Sequence, residues 1–224
     1  MDLLTNLGIL LLIYVLGSIP FGFIWVKLLT GKDVRSVQSG RTGGTNAMRA
    51  GGYTVGVLTV VFDILKGASG VWLASWLSDG NIWMMVLGPV FIILGHNYSI
   101  FLPEKNEKGH WRLRGGAGGA PCVGGSIGLW WPSIFIIMPL GAMMFFFVGY
   151  ASLATMSVAL FSSMLFAFLA LSQVTPWEFV IYGVLAEILL VISLIPNIKR
   201  LMQGTERRVG IPAKRMKTNE NSTS

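Results

Sequence analysis

Residues 7–29 of this chain read LGILLLIYVLGSIPFGFIWVKLL, an apolar run in which Lys27 is the only charged residue. About 20 such residues allow a helix to cross a hydrocarbon layer of about 30 Å. The whole chain has the same character, since 53% of its 224 residues are hydrophobic, 12% are charged and the mean hydropathy is +0.66. A soluble domain carries about 25% charged residues. These figures exclude a soluble globular domain and predict an integral membrane protein.

Further apolar runs predict an all-α, polytopic membrane helix bundle of about seven transmembrane helices. Single spans are predicted at 53–77, 82–102, 152–171 and 176–196. The stretch 121–150 is assigned two short spans, broken near Pro132 or near Pro139-Leu140-Gly141, because the basic segments that flank 121–196 require an even number of crossings. Residues 1–210 are expected to form the membrane domain, and the polar stretch 211–224 a disordered cytoplasmic tail.

Positive charge is confined to three stretches of the chain. Sixteen of the 17 Lys and Arg residues lie in 27–49, 105–114 and 199–217, whereas the connection 78–81 has none. This asymmetry is typical of the positive-inside pattern, which places the three basic stretches in the cytoplasm, the N-terminus outside and the C-terminus inside. Because the chain starts with Asp2 in place of a basic region, the first run is expected to be a retained span and not a cleaved signal.

Two basic loops contain many glycines. The first runs from Ser39 to Arg49, and in the second Arg112 and Arg114 precede four glycines, 115–119. Glycine lets successive backbone N–H groups converge on an oxyanion, a helix N-terminus adds a favourable dipole, and an arginine can bind phosphate through two parallel hydrogen bonds. The alternatives are a flexible loop that only orients the protein, and close helix packing through small residues. Two such loops on one face favour a single shared site for an anion.

Some ionisable residues within or at the ends of the apolar runs are candidates for a site. Asp63 and Lys66 are spaced to share one helix face, as a structural ion pair or as part of a site. His96 ends the third run, where it is either a packing residue or a group of the site. Glu187 has no evident partner in the sequence. No Walker loop, metal-ligand cluster or nucleophile elbow is present, so the sequence predicts no metal site and no cofactor.

At these positions the sequence resembles the PlsY family of membrane acyl-phosphate:glycerol-3-phosphate acyltransferases. The resemblance covers nearly the whole chain in order. The matching positions are Gly17-Ser18-Ile19-Pro20-Phe21-Gly22, then Ser39, Gly40, Gly43, Thr45, Asn46 and Arg49, then Asp63, Lys66 and Gly67, then Gly95-His96, then Tyr150, Ser152 and Leu153, and finally Asn197-Ile198-Lys199-Arg200-Leu201 with Gly204-Thr205-Glu206.

The resemblance implies transfer of an acyl group from acyl phosphate to glycerol 3-phosphate, giving lysophosphatidate in phospholipid biosynthesis. It implies a multi-pass protein of the bacterial inner membrane, an active site that faces the cytoplasm, contact with membrane lipids, the acyl-phosphate-synthesising enzyme as a candidate partner, and no nucleic-acid partner. Catalytic roles are expected for Ser39, Asn46 and His96, with His96 as a general base. Substrate or phosphate binding is expected of Gly40, Arg41, Gly43, Thr45, Arg49, Lys66, Arg114, Gly115, Gly116, Gly118, Ser152 and Asn197.

The chain departs from the family pattern at four positions. Ala117 stands where the family has a lysine expected to hold substrate phosphate, and Pro121 stands where it has a threonine. Arg41 replaces an asparagine, and Leu194 replaces a histidine. Arg41, Arg112 or Arg114 could supply the missing charge, although arginine and lysine are not equivalent donors. These departures keep two other hypotheses open: a membrane carrier or binding protein for an anionic lipid or metabolite, and a catalytically inactive paralogue.

Overall fold

The computed structural model describes residues 2–106 and 109–211, which form nine α-helices and one β-hairpin. The helices are α1 Leu3–Ser18, α2 Phe21–Thr30, α3 Gly44–Gly51, α4 Tyr53–Leu77, α5 Ile82–Asn97, α6 Gly119–Leu129, α7 Ile134–Met143, α8 Ala151–Leu171 and α9 Glu178–Met202. The antiparallel strands are β1 Ser99–Lys105 and β2 Trp111–Arg114. A 3-10 turn, Trp131–Ser133, precedes α7, and a π-helical turn, Met144–Val148, extends it. The tail predicted for 211–224 lies outside the described residues except for Ile211.

The mainly helical architecture expected from the apolar runs is confirmed. Five segments of the described residues are long and apolar enough to cross a membrane: Leu3–Thr30, Tyr53–Leu77, Trp131–Val148, Ala151–Leu171 and Glu178–Met202. Two further apolar helices are shorter. α5 has 16 residues and α6 has 11, and at 1.5 Å per residue neither reaches 30 Å when straight.

The bounds of several helices differ from the predicted spans. α4 begins and ends as predicted, and α8 begins one residue early. The third span, predicted to reach residue 102, is wrong at its end, since α5 stops at Asn97 and the chain continues as β1. The last span, predicted to stop at Pro196, is also wrong at its end, because α9 contains that proline and continues to Met202.

The region 121–150 forms two helical segments, as predicted, but they are unequal. The break is at Trp131–Ser133, around Pro132, while Pro139 lies inside α7. The first run also differs from the expectation of one continuous helix, because α1 and α2 are separated at Ile19 and Pro20. Proline has no N–H to continue the helix, and the carbonyl of Ile19 accepts a hydrogen bond from Lys66 Nζ at 2.9 Å.

Glycines allow the central helices to pack backbone against backbone. A Cβ on Gly67 of α4 would lie 2.1 Å from the carbonyl oxygen of Pro121, and a Cβ on Gly124 of α6 would lie 2.0 Å from that of Ile64. A Cβ on Gly95 would come within 2.3 Å of the Tyr14 carbonyl oxygen, so α5 lies equally close to α1. A Cβ on Gly118, which precedes α6, would lie 3.0 Å from Asn97 Oδ1, so the start of α6 and the end of α5 meet at one end of the bundle.

The described parts of the three basic stretches, 27–49, 105–106 with 109–114, and 199–211, lie at that same end. Arg114 Nε donates to the carbonyl of Gly40 at 2.9 Å, which joins the second stretch to the first. Arg207 Nη1 donates to Gln38 Oε1 at 3.1 Å, which joins the third to the first. The short turn between α7 and α8 is also there, since the backbone N–H of Val209 donates to the Gly149 carbonyl at 2.8 Å. The fold therefore has one strongly basic end.

Candidate functional site

A cleft of about 630 Å³ opens at the basic end of the bundle. Its walls come from the first loop, the second loop, the start of α8 and the last turns of α9. The two glycine-rich loops are tied to each other, because the backbone N–H of Thr42 donates to the Gly115 carbonyl at 3.2 Å and Arg114 bonds the Gly40 carbonyl. The two stretches predicted to meet therefore form one continuous surface.

Two helix N-termini end in this cleft. α3 begins after Gly43 and α6 after Gly118, and neither helix has a side chain that caps its first turn. Gly118 adopts a φ of +90°, a left-handed conformation that glycine tolerates. The first N–H groups of a helix have no partner within the helix, and the helix dipole makes this end attractive to anions. The cleft therefore presents two sets of N–H donors to a negatively charged ligand.

Arg41 is a cation of the cleft wall that is held by three hydrogen bonds. Its Nη1 donates to the Gly116 carbonyl at 2.8 Å and to Ser193 Oγ at 2.9 Å, and its Nη2 donates to the Ser193 carbonyl. These partners are neutral, and among the described residues no carboxylate forms an ion pair with it. Burial lowers the pKa of Arg41, and the neighbouring Arg200 lowers it further. A guanidinium stays charged in proteins, so this charge favours an anionic ligand.

Arg49 is a second cation of the cleft that lacks a counter-ion. It lies in the last turn of α3, and the described part of the chain gives it neither an ion pair nor a hydrogen bond. Burial lowers the pKa of Arg49, and the charge of Arg207 acts in the same direction. Two half-buried cations without acidic partners are costly in an empty cleft and become favourable when an anion binds.

The arginines of the second loop are paired with an acidic residue. Arg114 Nη1 lies 2.9 Å from Glu104 Oε2, and Arg112 Nε lies 2.6 Å from Glu104 Oε1 across the hairpin. The three arginines that could replace the missing lysine therefore differ in whether a carboxylate neutralises their charge. Arg112 and Arg114 share one carboxylate, whereas Arg41 keeps its full charge in the cleft.

Several buried polar atoms of the cleft wall have no partner within the protein. They include Ser152 Oγ, Asn197 Oδ1, Asn46 Oδ1 and both polar atoms of the Asn97 amide. A buried polar group without a hydrogen bond costs about 1–3 kcal/mol. Since these groups face the same cleft, they are suited to a polar ligand or to water that the ligand displaces.

Most of the predicted site residues line the cleft, and two do not. Those in the wall are Ser39, Arg41, Gly43, Thr45, Asn46, Arg49, His96, Arg114, Gly115, Gly116, Gly118, Ser152 and Asn197. Gly40 lies behind the wall, where its close contact with the Arg114 guanidinium leaves no room for a Cβ. Lys66 is buried behind His96, with its Nζ 3.2 Å from His96 Nδ1. The expectation that Lys66 contacts phosphate does not fit this position.

Asn46 holds the first loop in place. Its Nδ2 lies within 3.0 Å of three loop carbonyls, those of Val34, Val37 and Arg41. The residue is 3% exposed, and its side-chain donors are already used. The Nδ2 group therefore has a structural role, which fixes the carbonyl beside the Arg41 side chain. Asn46 Oδ1 has no partner within the protein and Asn46 lines the cleft, so the catalytic role expected from the sequence stays a prediction.

The structure adds polar wall residues that the sequence reasoning missed: Asn97, Thr155, Ser193, Glu206 and Arg207. Glu206 accepts from Asn197 Nδ2 at 2.9 Å and from Arg200 Nε at 2.8 Å, so it organises the end of α9. Asn97 directly follows the Gly-His pair and could have been found there. Ser193 carried no signal, because its role depends on a contact with a loop about 150 residues away. Among the described residues no cluster of His, Cys, Asp or Glu could hold a metal ion.

Comparison with known proteins gives one consistent result. Residues 7–204 match the family model described as glycerol-3-phosphate acyltransferase. A glycerol-3-phosphate acyltransferase of Syntrophomonas wolfei is 31% identical over 203 residues, which are 90% of this chain and 96% of that protein. A glycerol-3-phosphate acyltransferase of Thermotoga petrophila is 35% identical over 201 residues, which are 88% of this chain and 93% of that protein.

The fold is similar to that of a solved membrane protein. The glycerol 3-phosphate form of PlsY (YgiH), an integral membrane glycerol 3-phosphate acyltransferase, has a TM-score of 0.76 and 28% identity, and the match covers 92% of this chain and 96% of that one. Its lysophosphatidic acid form has a TM-score of 0.73 and 27% identity, and the match covers 92% of this chain and 95% of that one.

Proposed function

We propose that this chain, which belongs to the glycerol-3-phosphate acyltransferase family, takes an acyl group from an acyl phosphate in the cleft described above. It is an enzyme that transfers this acyl group to glycerol 3-phosphate in phospholipid synthesis. The observation that carries this proposal is the pairing of two uncapped helix N-termini with two arginines, Arg41 and Arg49, that have no acidic partner. Both substrates would carry a phosphate group, and the cleft offers two sets of donors for them.

Arg41 supplies the charge that the second loop lacks. Its guanidinium bonds Gly116 and Ser193, which directly precede Ala117 and Leu194, the two positions where a lysine and a histidine are expected. The cation thus enters the cleft from the first loop instead of the second. Its planar head can bind two phosphate oxygens while its other N–H groups keep the loop against α9.

The remaining wall residues orient the reactants. Ser39 and Thr45 lie near the start of α3 and Ser152 near the start of α8, where their hydroxyls can bond the glycerol moiety. The N–H groups around Gly43 and Gly118 and the N–H of Gly115 bind phosphate oxygens with Arg49 and Arg114, whereas the Gly116 N–H already donates to the His96 carbonyl. Preorganised donors of this kind stabilise charge that develops during acyl transfer.

An acyl phosphate needs little further activation. The hydroxyl oxygen of glycerol 3-phosphate attacks the acyl carbonyl carbon, the bond from that carbon to the phosphate oxygen breaks, and the hydroxyl proton leaves with the released phosphate. The protein must mainly hold the hydroxyl in line with the carbonyl and neutralise phosphate charge. The acyl phosphate comes from an acyl-phosphate-synthesising enzyme, which is therefore a candidate partner.

An acylation assay tests the proposed reaction. Purified protein in lipid receives palmitoyl phosphate and radiolabelled glycerol 3-phosphate, and we expect labelled lysophosphatidate with release of one phosphate per product. Palmitoyl-CoA replaces the acyl phosphate as the matched control and is expected to give no product. Label that accumulates inside sealed vesicles without acylation would contradict the proposal and support a carrier.

The membrane arrangement that fits this function has seven crossings in the bacterial inner membrane. The five long spans and the shorter α5 and α6 give an odd number, which puts the ends of the chain on opposite sides. Since the basic stretches share one end of the bundle, the positive-inside rule puts the cleft in the cytoplasm, with the N-terminus outside and the C-terminus inside.

Cysteine labelling tests this orientation. Cys122 is fully buried, so introduced cysteines report alone. Ser172→Cys, between α8 and α9, is expected to react with an impermeant maleimide in intact cells. Ser36→Cys, in the connection between α2 and α3, is expected to react only after the membrane is opened. The reverse pattern would contradict the orientation, and labelling of both in intact cells would contradict the assignment of the two sites to opposite sides.

A further inference from the structure

A buried cluster of three ionisable side chains lies at the inner end of the cleft, where Asp63 and His96 reach the lining and Lys66 lies behind them. Asp63 and Lys66 come from α4 and His96 from the end of α5, and their side chains are 1%, 1% and 4% exposed. Lys66 Nζ lies 2.9 Å from the Ile19 carbonyl oxygen, 3.1 Å from Asp63 Oδ1 and 3.2 Å from His96 Nδ1. The contact with Asp63 is an ion pair without hydrogen-bond geometry, and the other two are hydrogen bonds.

The contact with Lys66 decides which nitrogen of His96 carries the proton. An ammonium group has three N–H donors and no acceptor, so His96 Nδ1 must be the acceptor and the proton must be on Nε2. The alternative partner for a protonated Nδ1, Asp63 Oδ1, is 3.5 Å away, beyond the range of a good hydrogen bond. The charges that act on the ring are Asp63 and Lys66 from α4 and Arg41 from the first loop. Two cations against one anion oppose an imidazolium.

The protonated edge of the ring faces the glycine-rich second loop. A Cβ on Gly116 would lie 1.9 Å from His96 Nε2, and the ring is one of the groups that line the cleft. The backbone N–H of Gly116 donates to the His96 carbonyl at 2.8 Å, which fixes the loop against the end of α5. The Nε2–H bond therefore points to the region where the phosphate groups are proposed to bind.

We propose that His96 acts as a neutral hydrogen-bond donor to a phosphate oxygen of the bound substrate through Nε2–H, and that Lys66 is the positioning residue that holds it in this tautomer. The inference rests on the proposed function. It replaces the general-base role expected from the sequence, because Nε2 already carries a proton and Nδ1 is directed away from the cleft. The Asp63–Lys66 pair, which the reaction itself does not use, thereby acquires a function.

Two substitutions separate a donor from a base. Glutamine can place an amide N–H near the position of Nε2 but has no group that titrates, whereas alanine has no donor. His96→Gln is expected to keep kcat/KM within about fivefold of the parent, and His96→Ala to lose about 10- to 100-fold. KM is measured for palmitoyl phosphate and glycerol 3-phosphate separately, and the substrate whose KM rises identifies the phosphate that His96 contacts. Equal losses of about 10²-fold or more in both variants would support a general base and overturn the proposal.

Nitrogen NMR tests the tautomer without relying on activity. The chain has two histidines, so His110→Gln, in the exposed hairpin, leaves His96 as the single imidazole. With ¹⁵N-labelled histidine we expect one protonated nitrogen, Nε2, and one unprotonated nitrogen, unchanged between about pH 6 and 8. A proton on Nδ1 or a doubly protonated ring would overturn the inference. Absence of acyl transfer in the parent protein would instead contradict the proposed function, so the two failures are distinguishable.

Discussion

Replacing Arg41 with glutamine is expected to lower kcat/KM for acyl transfer by about 10²–10³-fold, the cost of removing one preorganised charged donor from a site of this kind. The reason is that Arg41 brings an unpaired charge into the cleft and also joins the second loop to α9 through Gly116 and Ser193. Initial rates of lysophosphatidate formation over a range of both substrates give kcat and KM separately. We expect KM for at least one substrate to rise, because the lost interaction contacts phosphate in the ground state as well.

The matched control removes a positive charge from the same end of the bundle but outside the cleft. Lys199 is exposed in the last turn of α9, and Lys199→Gln is expected to change kcat/KM by less than about twofold, because an exposed charge contributes little. The kcat/KM of Arg41→Lys is expected to lie between those of the two glutamine variants, since lysine keeps the charge but cannot bond Gly116 and Ser193 at once. If Arg41→Gln and Lys199→Gln behave alike, Arg41 does not bind phosphate.

Gly115→Ala is expected to lower kcat/KM by at least about 30-fold and to reduce thermal stability. A Cβ at this position would lie 2.1 Å from the His96 carbonyl oxygen and 2.7 Å from that of Asn97. These are backbone atoms of α5 that cannot rotate away, so the second loop must shift. Overpacking of this kind costs about 1–3 kcal/mol, and the shift also breaks the contact between the Gly115 carbonyl and Thr42.

Gly8→Ala is the matched control for this substitution. A Cβ on Gly8 of α1 would meet no atom within 4 Å, and alanine is the better helix former. We expect unchanged activity and an equal or higher unfolding temperature in detergent. Full activity of Gly115→Ala would show that the close approach of the second loop to α5 is not needed for the reaction.

The sequence predicts the long membrane helices well, and it fails where apolar character does not determine conformation. Both ends of α4 are predicted correctly, because loops rich in Gly and polar residues precede and follow it. The end of α5 was placed too late because Ile100, Phe101 and Leu102 are as apolar as a helix but belong to β1. α9 passes through Pro196, although a proline was expected to end it.

For the site, the sequence indicates which loops matter but not which atoms face the cleft. The glycines and arginines of both loops were predicted from their chemistry, and both loops do line one cleft. The inward direction of Lys66, the structural use of the Asn46 amide and the contact of Arg41 with Ser193 were not predictable, because each depends on residues from a distant element. A motif indicates which side chain is required, whereas tertiary packing determines which groups that side chain contacts.

The central claim is that one cleft binds substrate phosphate between the two glycine-rich loops. A structure of the protein in lipid with glycerol 3-phosphate bound is its most direct test. We predict that the phosphate lies between the starts of α3 and α6, within hydrogen-bond distance of Arg41 or Arg49. Phosphate bound elsewhere on the molecule, or a cleft that stays empty at saturating ligand, would contradict the claim.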